Sequence, residues 1–513
     1  MFSYSPFHSS PFSKPDTISA TSNVDVNLLD VLSNFYVVCP KLQKREDDEH
    51  KRLLFYYPPE ETSQRKKVAQ QTCSETVNPV ELINEAQLQR LTFGLQLAEI
   101  TGMAAAMVDF TSELIRIENS GHVKRRSHRF VRSSKSAGVF LPVEDDFIIG
   151  ATLNRDLCKS KSFYPHPTTL LRAVENLYEV YKLFYGFFKP SVDLDDSSAK
   201  DLALKLDTFF SSYLQTTKLS AIPIIDYLDG ICFMPLSPKL LLETQCFVEQ
   251  CAETCPELRL TMFLFQSRLA QYSIDKTTLR PLYRFMVDHL IPHALTEELQ
   301  PEVVLLNSGG RFIRARFDFA TQDCSYPRVH LMNNENGKLE VFHLIAYRSL
   351  NATLCILIPD GVDPGGPLTK LRQILEPKMS TLASEMGDTI TELSRPLITG
   401  VPFHFIYHNY DSLSFRTSLK QMQQQPDNNG NTIIFTPEIS CAIYEAFDKF
   451  IEQTDESIHT AFKVGGDLWV GFKRSNQRII VIFLPNASNS TLQDFHGYFD
   501  LILSTHFEHV YFN

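Results

Sequence analysis

From residue 35 onward the chain alternates short apolar runs with amphipathic stretches, in an order that returns. FYVVCPKL (Phe35–Leu42) and LLFYYPP (Leu53–Pro59) flank the charged turn KREDDEHKR, and two β-rich runs around a polar turn predict a hairpin. Beyond a polar stretch, a helical pattern opens near Pro79. Leu88, Leu91, Leu95 and Ala98 recur at spacings of 3, 4 and 3, one stripe of an amphipathic helix. Residues 119–138 read as irregular and basic, and FIIGATL (Phe147–Leu153) as a strand. HPTTLLRAVENLYEVYKLFYGFF then predicts a helix with Leu170, Val174, Leu177, Tyr181 and Phe184 on one face. DLDDSS (Asp193–Ser198) supplies capping side chains for a second helix, DLALKLDTFFSSYLQ. Antiparallel strands covered by helices make one compact α+β unit.

The pattern comes back twice. LRLTMFLF (Leu258–Phe265) and RLAQYSI (Arg268–Ile274) predict a second hairpin, followed by the helix TTLRPLYRFMVDHLI. RVHLM, LEVFHLIAYRS and ATLCILIPD read as strands, and GVDPGGP opens a long helix bent near Pro377. The third round starts with PFHFIYHN (Pro402–Asn409). After QMQQQPDNNGN, a helix opens with Thr436 as N-cap and Pro437 in the first turn, its apolar face formed by Ile439, Ile443, Phe447 and Phe450. AFKVGGDLWVGFK and RIIVIFL make a hairpin across KRSNQ, and LQDFHGYFDLILSTHF closes as a helix. No motif aligns between the rounds, so the repetition is one of architecture. The expected division is a disordered Ser/Thr/Pro-rich tail over 1–28, then domains over 29–220 (with a basic insertion), 221–395 and 396–513.

Composition narrows the class. With 43% hydrophobic and 21% charged residues, the chain is neither disordered nor a rod. The 49 basic and 60 acidic side chains give a net charge of -11, which speaks against a nonspecific nucleic-acid binder. The 10 cysteines have no regular spacing, and Cys39, Cys232, Cys355 and Cys441 sit in apolar runs as small hydrophobes. The N-terminal run lacks the apolar core of a signal peptide, and no 18-residue apolar run occurs. The expectation is a cytoplasmic protein whose membrane contact is peripheral, with Asn351, Asn486 and Asn489 unglycosylated.

The usual signatures of covalent chemistry do not emerge. G-x-S-x-G, H-E-x-x-H and a complete Walker motif are absent. Gly466–Lys473 resembles a phosphate-binding loop, but Phe472 stands where the lysine belongs and the local pattern is a strand. Cys246, Cys251 and Cys255 lie at i, i+5 and i+9 in a helical stretch, where helix packing outweighs a zinc site. His404 and His408 alternate with apolar residues in a strand, a pattern more typical of edge or face residues than of ligands. Asp193, Asp195 and Asp196 lack the Gly turn and distal Glu of a calcium loop. No metal, cofactor or catalytic residue is assigned. One feature is pointed: GHVKRRSHRFVRSSK carries Lys124, Arg125, Arg126, Arg129, Arg132 and Lys135 inside an acidic chain. It reads either as a contact with anionic lipid headgroups, worth about 1 kcal/mol per basic residue near the surface, or as a solvated loop or strand with one basic face. From the residues alone, then, function lies in surfaces.

Several runs taken together resemble the Ccz family, one subunit of the Mon–Ccz complex that acts on late-endosomal and vacuolar Rab GTPases. They are LLFYYPPEE, LYEVYKLFYGFF, YLQTTKLSAIPIIDYLDGICFMPLSP, LEVFHLIAYRSLNATLCILI, LTKLRQILEPKMSTLASEM and DLWVGFKRSNQRIIVIFL, collinear with the family from residue 53 to 484. The chain departs from the family over 1–28 and roughly 60–140. The resemblance implies an α+β fold of three longin-type domains, each a five-stranded antiparallel sheet sandwiched by helices. It also implies guanine-nucleotide exchange on a Rab-seven-class GTPase, performed with a Mon-type longin subunit at an anionic endosomal membrane and without covalent chemistry. The first domains of both subunits would form the platform. The stripe Leu88, Leu91, Leu95 and Ala98 would then face the partner or GTPase, or simply its own sheet. A subunit of a related exchange complex, a non-catalytic trafficking or ciliary scaffold, and an enzyme with an unrecognised site are the alternatives.

Overall fold

The computed structural model describes residues 25–42, 53–57, 130–144, 147–188, 196–220, 222–298, 310–313, 326–333, 338–393, 403–419, 433, 435–453, 459–485 and 490–507. A short strand β1 (Val26–Asn27) and helical turn α1 (Leu28–Val31) lead into β2 (Leu32–Val38). The first sheet adds β3 (Leu53–Tyr57), β4 (Phe130–Arg132), β5 (Ser136–Glu144) and β6 (Phe147–Asn154) in the order β3-β2-β6-β5-β4, all antiparallel. Strand period sets the layers. Phe35 and Val37 join Ile149 and Ala151 in the main core, whereas Tyr36 and Val38 join Phe140 and Ile148 on the opposite face.

After α2 (Arg155–Ser160) comes α3 (Pro167–Tyr185), with proline at its first turn. Leu170, Val174, Leu177, Tyr181 and Phe184 are all buried, as the 3.6-residue period predicts. The helix α4 (Asp196–Thr216) adds Phe209 and Phe210 to the same core. Next come β7 (Lys218–Leu219), α5 (Pro223–Leu228), β8 (Ile231–Cys232) and α6 (Pro238–Thr254).

The second sheet contains β9 (Leu260–Phe265) and β10 (Arg268–Tyr272). The chain then runs through α7 (Lys276–Phe285), a π turn over Met286–Leu290 and α8 (Ile291–Glu298). β11 (Arg311–Ile313), β12 (Arg328–Asn333), β13 (Lys338–Ser349) and β14 (Ala352–Pro359) complete the sheet. The order is β10-β9-β14-β13-β11, with β12 on the same edge of the long β13. One face, with Phe263, Tyr347 and Ile356, packs under α6 and α9 (Gly365–Leu393), which carries Pro377 inside it. The other face meets α7 and merges with the core of the first unit, where Phe184 of α3 contacts Phe285 of α7 edge-on at 4.8 Å.

The third sheet contains β15 (His404–Asn409) and β16 (Ser414–Thr417) before α10 (Pro437–Glu452). It continues through β17 (His459–Val464), β18 (Leu468–Ser475) and β19 (Arg478–Leu484), and α11 (Leu492–His506) follows. Thr436 caps α10, its hydroxyl accepting from the Ile439 amide at 3.3 Å. The order is β17-β18-β19-β15-β16, with Phe472 and Val481 facing α10 and Trp469 and Ile482 facing α11. Numbered within each unit, the strands of all three sheets run 2-1-5-4-3. That common order, with helices on both faces of the second and third sheets, is the three-longin α+β fold that the sequence implied.

Four expectations are revised. The tail expected over 1–28 does not extend to its last residues: Val26 and Asn27 pair with Leu219 and Lys218, and Leu28 is buried. The stretch expected to be irregular over 119–138 contains β4 and the start of β5, because Phe130 and Val131 find cross-strand partners in Val139 and Gly138. The helix after β10 is interrupted by the π turn. Residues 222–232, assigned to the second domain by sequence, pack with the third: Ile222, Ile225 and Leu228 enter its core, and β8 adds to β16 in parallel. Gly465 and Gly466 adopt positive φ in the β17–β18 turn, so the loop-like motif at Gly466 is a hairpin.

Candidate functional site

The basic segment enters the described structure at its C-terminal end. β4 is the edge strand of the first sheet, three residues long, and carries Arg132 at its end. The turn that follows is tightly tied. The Ser136 amide donates to the Ser133 hydroxyl at 2.9 Å, and Arg155 Nη1 donates to the carbonyls of Ser133 and Ser134 at 2.6 and 3.3 Å. That leaves Arg132 and Lys135 exposed on the rim of the sheet. Lys124, Arg125, Arg126 and Arg129 lie outside the described residues, as do Leu88, Leu91, Leu95 and Ala98. Arg132 places its guanidinium 6.0 Å from the centre of the Tyr164 ring, a cation–π spacing. Burial, with a hydrogen bond to Cys441, pushes the Tyr164 hydroxyl up to about 12.

Tyr164 opens the junction between the first and third units. His166, at the start of α3, stacks flat on Tyr444 of α10, ring centres 3.8 Å apart and planes within 4°. Its Nε2 lies 3.3 Å from Asp448, which also accepts from the Tyr227 hydroxyl at 3.1 Å. Thr169 and Tyr444 share a buried hydroxyl pair at 2.8 Å. Buried tyrosines need such partners, because an unpaired hydroxyl in an apolar junction is expensive.

A second knot joins all three units at Asp229, which ends α5 in a left-handed conformation (φ 47°) and is 3% exposed. Arg284 of α7 donates to its Oδ1 from Nη2 at 2.7 Å and from Nε at 3.1 Å, and Asn176 of α3 adds 3.3 Å. Arg280 stands 3.6 Å from Oδ2. Burial opposes the charge on Arg284, but Asp229 and Asp288 outweigh it and hold its pKa above the ordinary guanidinium value. His408 of β15 lies beside this knot, and burial, with Arg280 next, lowers its pKa to about 4. The sequence reading missed the knot. Its one local signal was the Asp-Gly pair inside IDYLDGICF, which marks a turn and says nothing of distant arginines.

The other sequence candidates resolve as packing. Cys251 and Cys255 are buried while Cys246 is exposed, and burial pushes the Cys251 thiol up to about 12. Among the described residues no three His, Cys, Asp or Glu side chains converge as metal ligands, and no helix is long and apolar enough to cross a membrane. The chemistry concentrated at these junctions is cohesive: aromatic stacks and ion pairs that fix three similar sheets against one another.

Comparison with known proteins places this architecture. Residues 32–80 match a domain model described as the first longin domain of INTU, CCZ1 and HPS4, and residues 258–374 match one described as Intu longin-like domain 2. The vacuolar fusion protein CCZ1 homolog of Xenopus laevis is 26% identical over 352 residues, covering 66% of this chain and 73% of the relative. That of Nematostella vectensis is 25% identical over 400 residues, covering 74% and 84%. The chain resembles the CCZ1 homologs over about two-thirds of its length. The CCZ1 likeness extends to Dictyostelium discoideum, whose homolog is 21% identical over 332 residues, covering 63% and 70%. Longin domains of this type account for the CCZ1-like repetition of one strand order without an alignable repeat.

Proposed function

We propose that this chain is one subunit of a heterodimeric guanine-nucleotide exchange factor. It pairs with a Mon-type longin subunit and activates a Rab-seven-class GTPase at late-endosomal or vacuolar membranes. The observation that carries the reading is the collinear CCZ1 similarity, over about two-thirds of the chain, laid on three sheets of one strand order. Exchange requires no bond to be made or broken by the factor. The complex binds the nucleotide-free GTPase best and therefore lowers nucleotide affinity through linkage. It does so by displacing the switch regions that hold Mg2+ and phosphate. Such work needs a rigid, shaped platform, and the ties at Tyr444 and Asp229 supply rigidity between units.

In this reading the first unit carries the platform, with Leu88, Leu91, Leu95 and Ala98 toward the partner or the GTPase. The basic segment, including Arg132 and Lys135, faces anionic lipid headgroups and recruits an otherwise cytoplasmic complex to the membrane. A second reading, a longin scaffold without exchange activity, draws on the match of residues 258–374 to a domain named for Intu. Retention of GTPases on the immobilised, co-expressed pair separates the two. The exchange reading expects the late-endosomal GTPase to be held when stripped of nucleotide and released by added GTP. Equal retention of nucleotide-free and GDP-loaded forms would favour the scaffold.

A further inference from the structure

Where the three units meet, a cleft of about 820 Å3 opens between α3, the first turns of α7, the β12–β13 hairpin and the β15–β16 turn. Arg280 stands in its wall. About two-thirds of its side chain is buried, since 33% remains exposed, yet among the described residues its guanidinium makes no hydrogen bond. Its ionic contact is Asp229 Oδ2 at 3.6 Å, too long for a hydrogen bond, and its Nε is shut away from solvent without an acceptor. A guanidinium carries five N–H donors in a rigid fork that matches carboxylate and phosphate oxygens. In Arg280 the Nε is buried without an acceptor and Nη1 meets Asp229 only at 3.6 Å, which leaves the fork able to take a further oxyanion.

Three of the four acids that line the cleft are paired with bases of the protein. Arg172 Nη1 holds Glu175 at 2.6 Å, Lys182 Nζ holds Glu179 at 2.7 Å, and Arg284 takes Asp229 Oδ1 at 2.7 Å. Asp411, the fourth, lines the cleft beside Lys276, whose Nζ donates to the Asp411 backbone carbonyl at 2.9 Å. Leu183, Phe187, Met332 and Leu339 add apolar wall, interspersed with Thr277, His330 and Tyr410, and Lys182 Nζ lies 5.8 Å from the centre of the Phe187 ring. A concave site that combines apolar side chains with a few polar groups is the usual layout of a small-ligand site.

We propose that this cleft binds a small amphiphilic oxyanion. Its phosphate or carboxylate sits on Arg280, with Lys276 alongside, and its apolar body lies against Phe187 and Leu339. All three units line the cleft, so an occupant bridges them. The inference goes beyond the exchange reading and does not depend on it.

The test is calorimetric titration of the full chain with inorganic phosphate, monomeric dioctanoyl phosphatidate and dodecanoate. The expected result is saturable binding of at least one amphiphile, tighter than inorganic phosphate. Arg280→Gln should weaken it at least about tenfold, the effect of losing one charge-assisted hydrogen bond, while Arg259→Gln, exposed and outside the cleft, leaves it unchanged. Among the described residues Arg280 makes only the 3.6 Å ionic contact with Asp229, so Arg280→Gln should move the thermal midpoint far less than Asp229→Ala, and Leu339→Gln tests the apolar wall separately. Phosphatidate as the tighter ligand identifies a lipid-like phosphate, and dodecanoate a carboxylate. No saturable binding of any probe, binding no tighter than inorganic phosphate, or undiminished binding by Arg280→Gln overturns the proposal.

Discussion

His408 lies in the third sheet with 1% of its surface exposed, and among the described residues no hydrogen bond reaches its Nδ1. Burial lowers its pKa to about 4, and burial alone lowers that of His289, packed against Tyr213 at 3.8 Å, to about 3. Both rings are therefore neutral in the folded chain. An unfolded histidine takes up its proton near pH 6.5. The stability these sites contribute is complete above that value and declines as pH falls toward 4 and 3. At pH 5 the loss should be about 2 kcal/mol per ring. Urea titrations at pH 7 and 5 measure it, and His289→Phe should flatten its share of the slope. At the same scale, Asp229→Ala strands Arg284 without its closest carboxylate. It should cost about 3–5 kcal/mol, as breaking a buried ion pair does; a thermal midpoint close to that of the unaltered chain would contradict the assignment. Neither site was legible in the sequence beyond a residue type. A buried histidine in an alternating strand looks like any face residue, and the partners of Asp229 lie 53 and 55 residues away on different helices.

Elements were far more legible, for a physical reason. The face of α3, the cap of α10 and the hairpins β2–β3, β9–β10 and β18–β19 follow from local periodicity and turn chemistry, which the chain carries within a few residues. The parallel addition of β8 to β16 does not, because it pairs Ile231 and Cys232 with Ser414 and Phe415 across more than 180 residues. β4 was misread because its apolar pair is embedded in arginines. On its hairpin Arg132 and Lys135 are exposed, which both the lipid reading and the solvated-face reading allow. Replacing the six Lys and Arg of the segment with Ser should abolish most sedimentation with phosphatidylserine vesicles, at about 1 kcal/mol per residue, and leave neutral vesicles unaffected. Undiminished sedimentation would sink the lipid reading.

At the scale of the molecule, three sheets of identical strand order are locked by different chemistry at each junction. The first and second units share an aromatic core through Phe184 and Phe285. The first and third meet at the His166–Tyr444 stack, and all three converge on Asp229. Three sheets tied in this way suit the platform role proposed above. The measurement that tests the central claim most directly is the release of fluorescent guanine nucleotide from a panel of purified Rab GTPases. It compares the chain alone with the chain co-expressed with a Mon-type subunit. Acceleration confined to the late-endosomal, Rab-seven-class GTPase, and seen with the pair rather than with the single chain, is the predicted result. A well-folded pair that accelerates release from none of the panel would contradict it.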